Sequence, residues 1–409
     1  MGIRGLSKLI KKHCKAGVYT DIPLSLFSGY KIAVDATGFL CILMAAAHSG
    51  VAERTNLTID RIDLDQVKYE WLHLVLLTIN KWLRLNITPL FIFDGDARPE
   101  KAECRQQRVD NRLQNIAEIN SIEQQMEAAG LNEMRGAEDD DESSASVFPF
   151  QQLGRLTTLV RNNWRLGAEH VALFKRLATA LGLPVIQSKH DAEQLASLLA
   201  REGQVVAAYT ADSDSLAFGC PLVIKEIKGS VIDSEGRQVP ACTIWNRQEI
   251  LVELQLDESA FIDLCIFAGC DYNTPDGKSP VPQVSQERAY KLIKEYRAIE
   301  ALPQLSPGWL NPFMVKGLPK DKLYNLGLLK HVRCREIFAP VFATEHVVSG
   351  SLDLEPVRLC QIFELQQQER IPTFVQEIIK LRTRTVDNVL TGPLATVEGQ
   401  SMVKPSVSG

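Results

Sequence analysis

Four short apolar runs punctuate the chain: KIAV (31–34), PLFIF (89–93), PVIQS (184–188) and VVAAYT (205–210). Runs of this length, rich in Val, Ile and Phe and separated by helical patterns, specify buried parallel strands joined by helical crossovers. The fold class is therefore α/β. Three of the four runs end at or near a carboxylate: Asp35 follows the first directly, Asp94 the second, and Asp212 with Asp214 stand just past the fourth. The third leads into DAEQLASLLAREG, an amphipathic helix whose first turn carries Asp191 and Glu193. Open parallel sheets bind ligands outside the carboxyl ends of their strands, so these acids are expected to converge on one edge.

Taken singly, an Asp after a strand is an ordinary turn former or helix cap, and Asp35 and Asp191 both fit that role. Four such places around one sheet edge require more, because clustered carboxylates repel unless a cation neutralises them. Hard oxygen ligands without nearby His or Cys favour Mg²⁺ or Mn²⁺. The acids of TADSDS thus read as metal ligands.

Composition removes several other readings. The 409 residues suffice for one large or two moderate domains. With 45 Lys and Arg against 50 Asp and Glu, the net charge is −5, so any affinity for nucleic acid must come from local patches. Nine cysteines without a C-x-x-C pair give no support to a zinc ribbon or redox dithiol and read as reduced, intracellular thiols. The opening MGIRGLSKLIKKHCK has no apolar signal core, Leu6 stands where a myristoylation motif needs Ser or Thr, and the Phe39–Ala47 run is too short to cross a bilayer. The chain is read as a soluble protein without a membrane partner. No glycine-rich fingerprint follows the early strands, against a dinucleotide site.

A basic series follows Asp94. Lys101, Arg105, Arg108 and Arg112 fall at i, i+4, i+7 and i+11, along one face of a helix. Spacing alone leaves a solvated basic face and a phosphate-binding face equally open.

The motifs MGIRGL, IAVDATGFL, FIFDGDARPEKAECRQQR, DAEQLASLLAREGQVVAAYTADSDSLAFG and FIDLCIFAGCDYN, in this order, resemble the flap endonuclease and XPG family of structure-specific 5′ nucleases. The resemblance is strong over 1–110 and 165–275 and weak from there to 383. It implies a PIN-like nuclease core, a central mostly parallel sheet flanked by helices, with a helical arch insertion and a helix-two-turn-helix-like region. Residue by residue, it implies that Asp35, Asp94, Asp191, Glu193, Asp212, Asp214 and Asp271 form an acidic site for two Mg²⁺ ions, with Mn²⁺ able to substitute. Asp35, Asp94 and Glu193 would favour one ion, Asp212 and Asp214 the other, and Asp191 and Asp271 would act through water. Lys101 and Arg108 match a gateway pair that binds the scissile phosphate, with Arg105 and Arg112 beside them on nucleic acid.

The implied activity is metal-dependent hydrolysis of DNA phosphodiesters, as a 5′ flap endonuclease and 5′–3′ exonuclease in replication, repair or recombination. The partner is branched or flapped DNA, at an intracellular place such as the nucleus or a site of DNA replication, a viral replication compartment included. An RNA-cleaving relative and a catalytically inactive nucleic-acid-binding member are the alternatives; retention of all seven acids with Lys101 and Arg108 argues against the second. The chain departs from the family in two places. Cys41 stands where flap enzymes tend to carry a base-stacking tyrosine. Val281, Pro282 and Gln283 replace the closely spaced glycines of a hairpin that holds potassium and duplex phosphate, which shifts duplex contacts toward Arg288, Lys291 and Lys294 of the helix SQERAYKLIKEY. No motif for docking a sliding clamp is found.

The expected organisation is an N-terminal nuclease region (1–110), an arch with an acidic loop GAEDDDESSAS (111–165), an internal nuclease region (166–300), a C-terminal helical region (301–390) and an unstructured tail (391–409).

Overall fold

In the computed structural model, the described residues are 2–57, 60–128, 150–273, 284–302 and 329–339. The acidic loop, the segment at 281–283, the helices expected after 340 and the tail lie outside them.

The elements run α1 (Leu6–His13), β1 (Val18–Pro23), β2 (Lys31–Asp35), α2 (Ala36–Arg54), α3 (Leu64–Arg84), β3 (Thr88–Phe93) and α4 (Ala102–Ala128). Then come α5 (Phe150–Asn162), α6 (Ala168–Ala180), β4 (Val185–Gln187), α7 (Ala192–Arg201), β5 (Ala207–Tyr209), α8 (Asp214–Ala217), β6 (Leu222–Ile232) and β7 (Gln238–Asn246). Helices α9 (Arg247–Leu254), α10 (Glu258–Ala268), α11 (Gln286–Tyr296) and α12 (His331–Phe338) complete the described chain. The expected helix SQERAYKLIKEY is α11, capped by the Ser285 hydroxyl, which accepts from the Arg288 amide.

The seven strands form one sheet in the order β1-β7-β6-β5-β2-β3-β4. Strands β6, β5, β2, β3 and β4 are mutually parallel, and β1 and β7 run antiparallel to their neighbours. The four expected strands are the parallel heart of the sheet. Because β3 and β4 lie on one side of β2 while β5 returns to the other, the strand order reverses between β2 and β5. A crevice opens at such a reversal, outside the carboxyl ends of the strands.

Alternate residues of the central strands feed two cores. Ala33, Leu90, Ile92, Ala208 and Val223 belong to the core shared with α1, α7, α9, α10, α11 and α12. Ile32, Val34, Phe91, Phe93, Ala207 and Ile224 belong to the other, with α2, α3 and α6. This period of two on a sheet covered on both faces explains why the strands read as continuous apolar runs. A third, smaller core joins α4 and α5 to Ala52 at the end of α2.

Helix α2 is the one described helix long and apolar enough to cross a membrane, yet its Phe39, Leu40, Met44, Ala47 and Val51 sit in the second core. Phe39 is 2 % exposed and lies within aromatic contact of Trp82, Phe91, Phe174 and Tyr209, so it is a core residue.

Candidate metal centre

The acids reach the sheet edge by different local devices. Asp35 closes β2 and caps α2, its Oδ1 accepting from the Gly38 amide at 2.9 Å while Oδ2 accepts from the Thr210 hydroxyl at 3.1 Å. Asp94 follows β3, and its Oδ1 accepts from the Ala192 amide at 2.9 Å, the first turn of α7. Asp191 occupies the cap position of α7 but caps nothing. Its carboxylate instead accepts from Arg98 Nε at 2.8 Å, Lys101 Nζ at 2.5 Å and the Tyr272 hydroxyl at 3.1 Å. Asp94 therefore does for α7 what Asp191 would otherwise do.

The turn TADSDS places Asp212 and Asp214 on the far side of the β2/β5 crevice. The Asp214 amide donates to Asp212 Oδ1 at 3.0 Å, and the Asp212 amide to the Thr210 hydroxyl at 3.1 Å. Glu193, from the first turn of α7, joins them: carboxylate oxygens of Glu193, Asp212 and Asp214 all lie within 4.8 Å of one another. Asp214 is fully buried and neither of its carboxylate oxygens has a hydrogen-bond partner. A buried, unpaired carboxylate is costly unless a cation satisfies it.

Burial pushes Glu193 and Asp214 well above the ordinary carboxylate range, and the neighbouring Asp212 adds to the rise. Asp35 is pushed up to about 6, first by burial and then by Asp94 and Asp212, against the opposing hydrogen bonds from Gly38 and Thr210. Asp191 goes the other way: burial would raise it, but the Lys101 and Arg98 charges outweigh burial and hold it low. These acids thus divide into a group already matched by protein cations and a group that calls for a cation. Three hard carboxylates within one small space, with no nitrogen or sulfur donor among them, suit Mg²⁺ or Mn²⁺.

The basic series separates. Lys101 belongs to the tight turn Pro99–Lys101 that precedes α4, so it is not on the helical stripe that the spacing implied. Its ammonium also stands 3.5 Å from Glu193 and over the Tyr272 ring at 4.8 Å. Arg108 is half exposed and donates to Asp271 Oδ2 at 2.7 Å. Arg105 points outward and donates to the Arg98 carbonyl at 3.4 Å. Arg112 diverges furthest, with its Nε buried and lining a cavity between α2, α4 and α5. On α11, Lys291 is exposed, Arg288 is half-buried, and Lys294 donates to the Tyr290 hydroxyl at 3.2 Å.

Other residues at the edge carried no signal in the sequence reading. Arg98 spans Asp191 and Gln194; it precedes the helix and so fell outside the spacing argument. Gly2 packs so closely on the acids, at φ +85°, that a Cβ there would fall 1.8 Å from Asp212 Oδ1. Gly95 lets the Asp94 turn pack against the segment that follows β4, since a Cβ would fall 2.0 Å from the Ser188 carbonyl. Lys225, on β6, donates to the Ala211 carbonyl at 2.6 Å; burial lowers it to about 8 against the pull of Asp212 and Asp214.

The XPG N-terminal domain matches residues 1–115 and the XPG I-region residues 182–271, together half of the chain. The chain belongs to the flap endonuclease/XPG family. Among relatives, flap endonuclease 1 of Encephalitozoon cuniculi is 29 % identical over 299 residues, covering 73 % of this chain and 74 % of that protein. Flap endonuclease 1 of Brugia malayi is 29 % identical over 306 residues, 73 % of this chain and 68 % of that one. The fold is that of the catalytic core of Rad2 in complex with DNA substrate (TM-score 0.56, 16 % identity, 93 % of this chain and 100 % of that one). It is also that of flap endonuclease-1 from Methanococcus jannaschii (TM-score 0.52, 19 % identity, 90 % and 96 %). In this XPG-family chain the two matched blocks carry all seven acids, Lys101 and Arg108, and the sheet brings them to one edge.

Proposed function

We propose that this chain is a divalent-metal-dependent, structure-specific nuclease that hydrolyses phosphodiesters in flapped or branched DNA. It acts as a 5′ flap endonuclease and 5′–3′ exonuclease in replication, repair or recombination, in the nucleus or wherever DNA is replicated. The observation that carries the reading is the Glu193–Asp212–Asp214 cluster at the sheet's reversal point, with both oxygens of the fully buried Asp214 unpartnered.

Glu193, Asp212 and Asp214 would hold divalent ions, with Asp35 and Asp94 facing them from β2 and β3 and two Mg²⁺ as the working number. When bound, such ions activate water and stabilise the departing oxygen of an in-line displacement. The protein's own part is positioning and charge. Asp191 and Asp271, held by Arg98, Lys101 and Arg108, would orient those cations and serve the metals only through water. Lys101, in the turn before α4, would present a compact charge and Arg108, on the exposed side of α4, a planar fork toward phosphate. The Tyr272 hydroxyl and Gln194 lock Asp191 and Arg98 in place.

A cleavage assay on a 5′-flapped DNA, a nicked DNA duplex and an RNA strand, with Mg²⁺ and with EDTA, tests this. Mg²⁺-dependent cutting of the flap, well above the other two substrates, is expected. Preferential cutting of RNA, or cutting that persists in EDTA, would overturn it.

A further inference from the structure

A basic helix that the reading above leaves without a role flanks the acidic edge. Residues 2–4 fasten the start of α1 to that edge: a Cβ on Gly2 would strike Asp212, the Ser213 hydroxyl donates to the Ile3 carbonyl at 3.4 Å, and the Arg4 amide donates to the Gly269 carbonyl at 2.8 Å. From there α1 buries Leu6, Leu9 and Ile10 and turns its other side to solvent. On that side stand Arg4, Lys8, Lys11, Lys12 and Lys15, all exposed. Lys8, Lys11 and Lys12 lie within α1 on one face, at i, i+3 and i+4, and Arg4 precedes Lys8 by one turn.

Folding accounts for part of this charge. Lys11, Lys12 and His13 fill the last turn of α1, where cations suit the helix macrodipole. Lys12 and His13 also meet Glu287 of α11 at 3.0 and 2.9 Å. Arg4 and Lys8 have no such account: one precedes the first turn and the other lies in it, the turn carries no acid, and the macrodipole opposes both. Lys8 also shares its face with Lys11 and Lys12, a like-charge arrangement that destabilises a helix. Among the described residues no carboxylate pairs with the side chain of Arg4, Lys8 or Lys11. In a chain of net charge −5 this surface is a local exception, and charge held against the helix's own electrostatics suits an anion outside it.

Position selects the anion. The stripe begins beside the acidic cluster and leads toward α11, whose first turn lies so close that a Cβ on Gly5 would fall 2.4 Å from the Gln286 side chain. Lys291, exposed, is one turn beyond Glu287 on the same face of α11. From Arg4 to Lys11 is about 10 Å at 1.5 Å per residue, the axial length of about three base pairs. A row of exposed point charges suits an extended backbone rather than one compact anion. The row is also fixed at both ends, at Gly2 and at Glu287, so it matches a stiff, densely charged duplex better than a flexible single strand. We propose that the Arg4, Lys8 and Lys11 stripe of α1 is a phosphate track for the duplex of the substrate, joining the acidic edge to Lys291 of α11 and holding the duplex at a set distance from the cut. This rests on the DNA-nuclease reading above, and the test separates the two.

Equilibrium binding of the full chain is measured in EDTA, where the DNA stays intact, on a 5′-flapped duplex over a range of salt. The Lys8→Gln/Lys11→Gln double variant is expected to bind about tenfold more weakly at low salt and to lower the slope of log affinity against log salt by about two units. Lys12→Gln, whose charge Glu287 already matches, should lower it by less. Thermal melts establish that each variant is folded. The contacts are mapped with duplexes in which one phosphate at a time is replaced by a neutral methylphosphonate. About two or three neighbouring positions should weaken binding by the wild type, and the same positions should leave the double variant within about twofold. An unchanged slope, or methylphosphonate penalties identical in the wild type and the folded double variant, overturns the track. An equal loss of affinity for a single-stranded oligonucleotide overturns the assignment to duplex, and tight binding of polyglutamate that duplex does not displace gives the stripe to an acidic protein instead. Mg²⁺-dependent flap cleavage with an unchanged slope sinks only the track; a slope change without cleavage sinks only the nuclease reading.

Discussion

Asp214 concentrates the argument at the scale of single residues, because its two buried oxygens have no partner and its carboxyl is raised well above the usual range. A raised folded-state value means that stability is greatest below the unfolded value near pH 4 and is lost as pH rises through the folded value. Glu193 and Asp35, the latter at about 6, push in the same direction. Asp214→Asn should therefore raise the melting temperature of the EDTA-treated protein at pH 8, the gain should shrink toward pH 5, and Mg²⁺ should stabilise the variant less than the wild type. An equal shift at both pH values would count against a charge-driven effect. Lys101→Ala and Arg108→Ala should each slow single-turnover cleavage by about 10²-fold with much smaller changes in affinity, the cost of removing one placed charge stabiliser. A salt-sensitive loss of binding at an unchanged single-turnover rate would make them a mere basic face. Asp35, Asp94, Asp212 and Asp214 could be placed at the sheet edge because each stands at or just past the end of an apolar run, whereas Asp271 entered only through the family resemblance. Arg98 and Tyr272 were not legible, since they meet Asp191 across 93 and 81 residues of chain, and no local pattern encodes such a meeting.

Among elements, the central strands and α7 could be read because burial on both faces leaves continuous apolar runs. The β6–β7 hairpin and β1 could not. Strand β6 buries only the adjacent Val223 and Ile224 before a half-buried to exposed stretch that carries Lys and Glu, and β1 is a short edge strand with two exposed polar residues. The series from Lys101 to Arg112 was half legible: its spacing is helical, but Pro99 opens a tight turn that removes Lys101 from the helix, and burial turns Arg112 toward the cavity. Helix α11 supplies a graded prediction. Lys291 is exposed, whereas Lys294 is bonded to Tyr290 and lies over its ring at 5.4 Å. Lys291→Ala should lower the slope of log affinity against log salt by about one unit, and Lys294→Ala by less. Equal slopes for both variants and the wild type would remove α11 from the duplex interface.

For the whole molecule, one sheet carries everything: both cores hang from alternate residues of the same strands, and the acids of the two XPG-matched blocks meet only because β5 returns beside β2. Helix α4 runs unbroken from Ala102 to Ala128, across the expected boundary at 110. The central claim is that this edge cuts DNA through a cation held by its unmatched acids. It is tested most directly by titrating Mg²⁺ against single-turnover cleavage of a 5′-flapped duplex by the wild type and Asp212→Asn, with affinity for the same DNA measured in parallel. The account predicts that Asp212→Asn loses cleavage by about 10²-fold or more at modest Mg²⁺ while binding DNA as tightly or tighter, since phosphate affinity comes from basic residues and a repulsive charge is gone. Near-normal turnover by Asp212→Asn at the same Mg²⁺ concentration would contradict it.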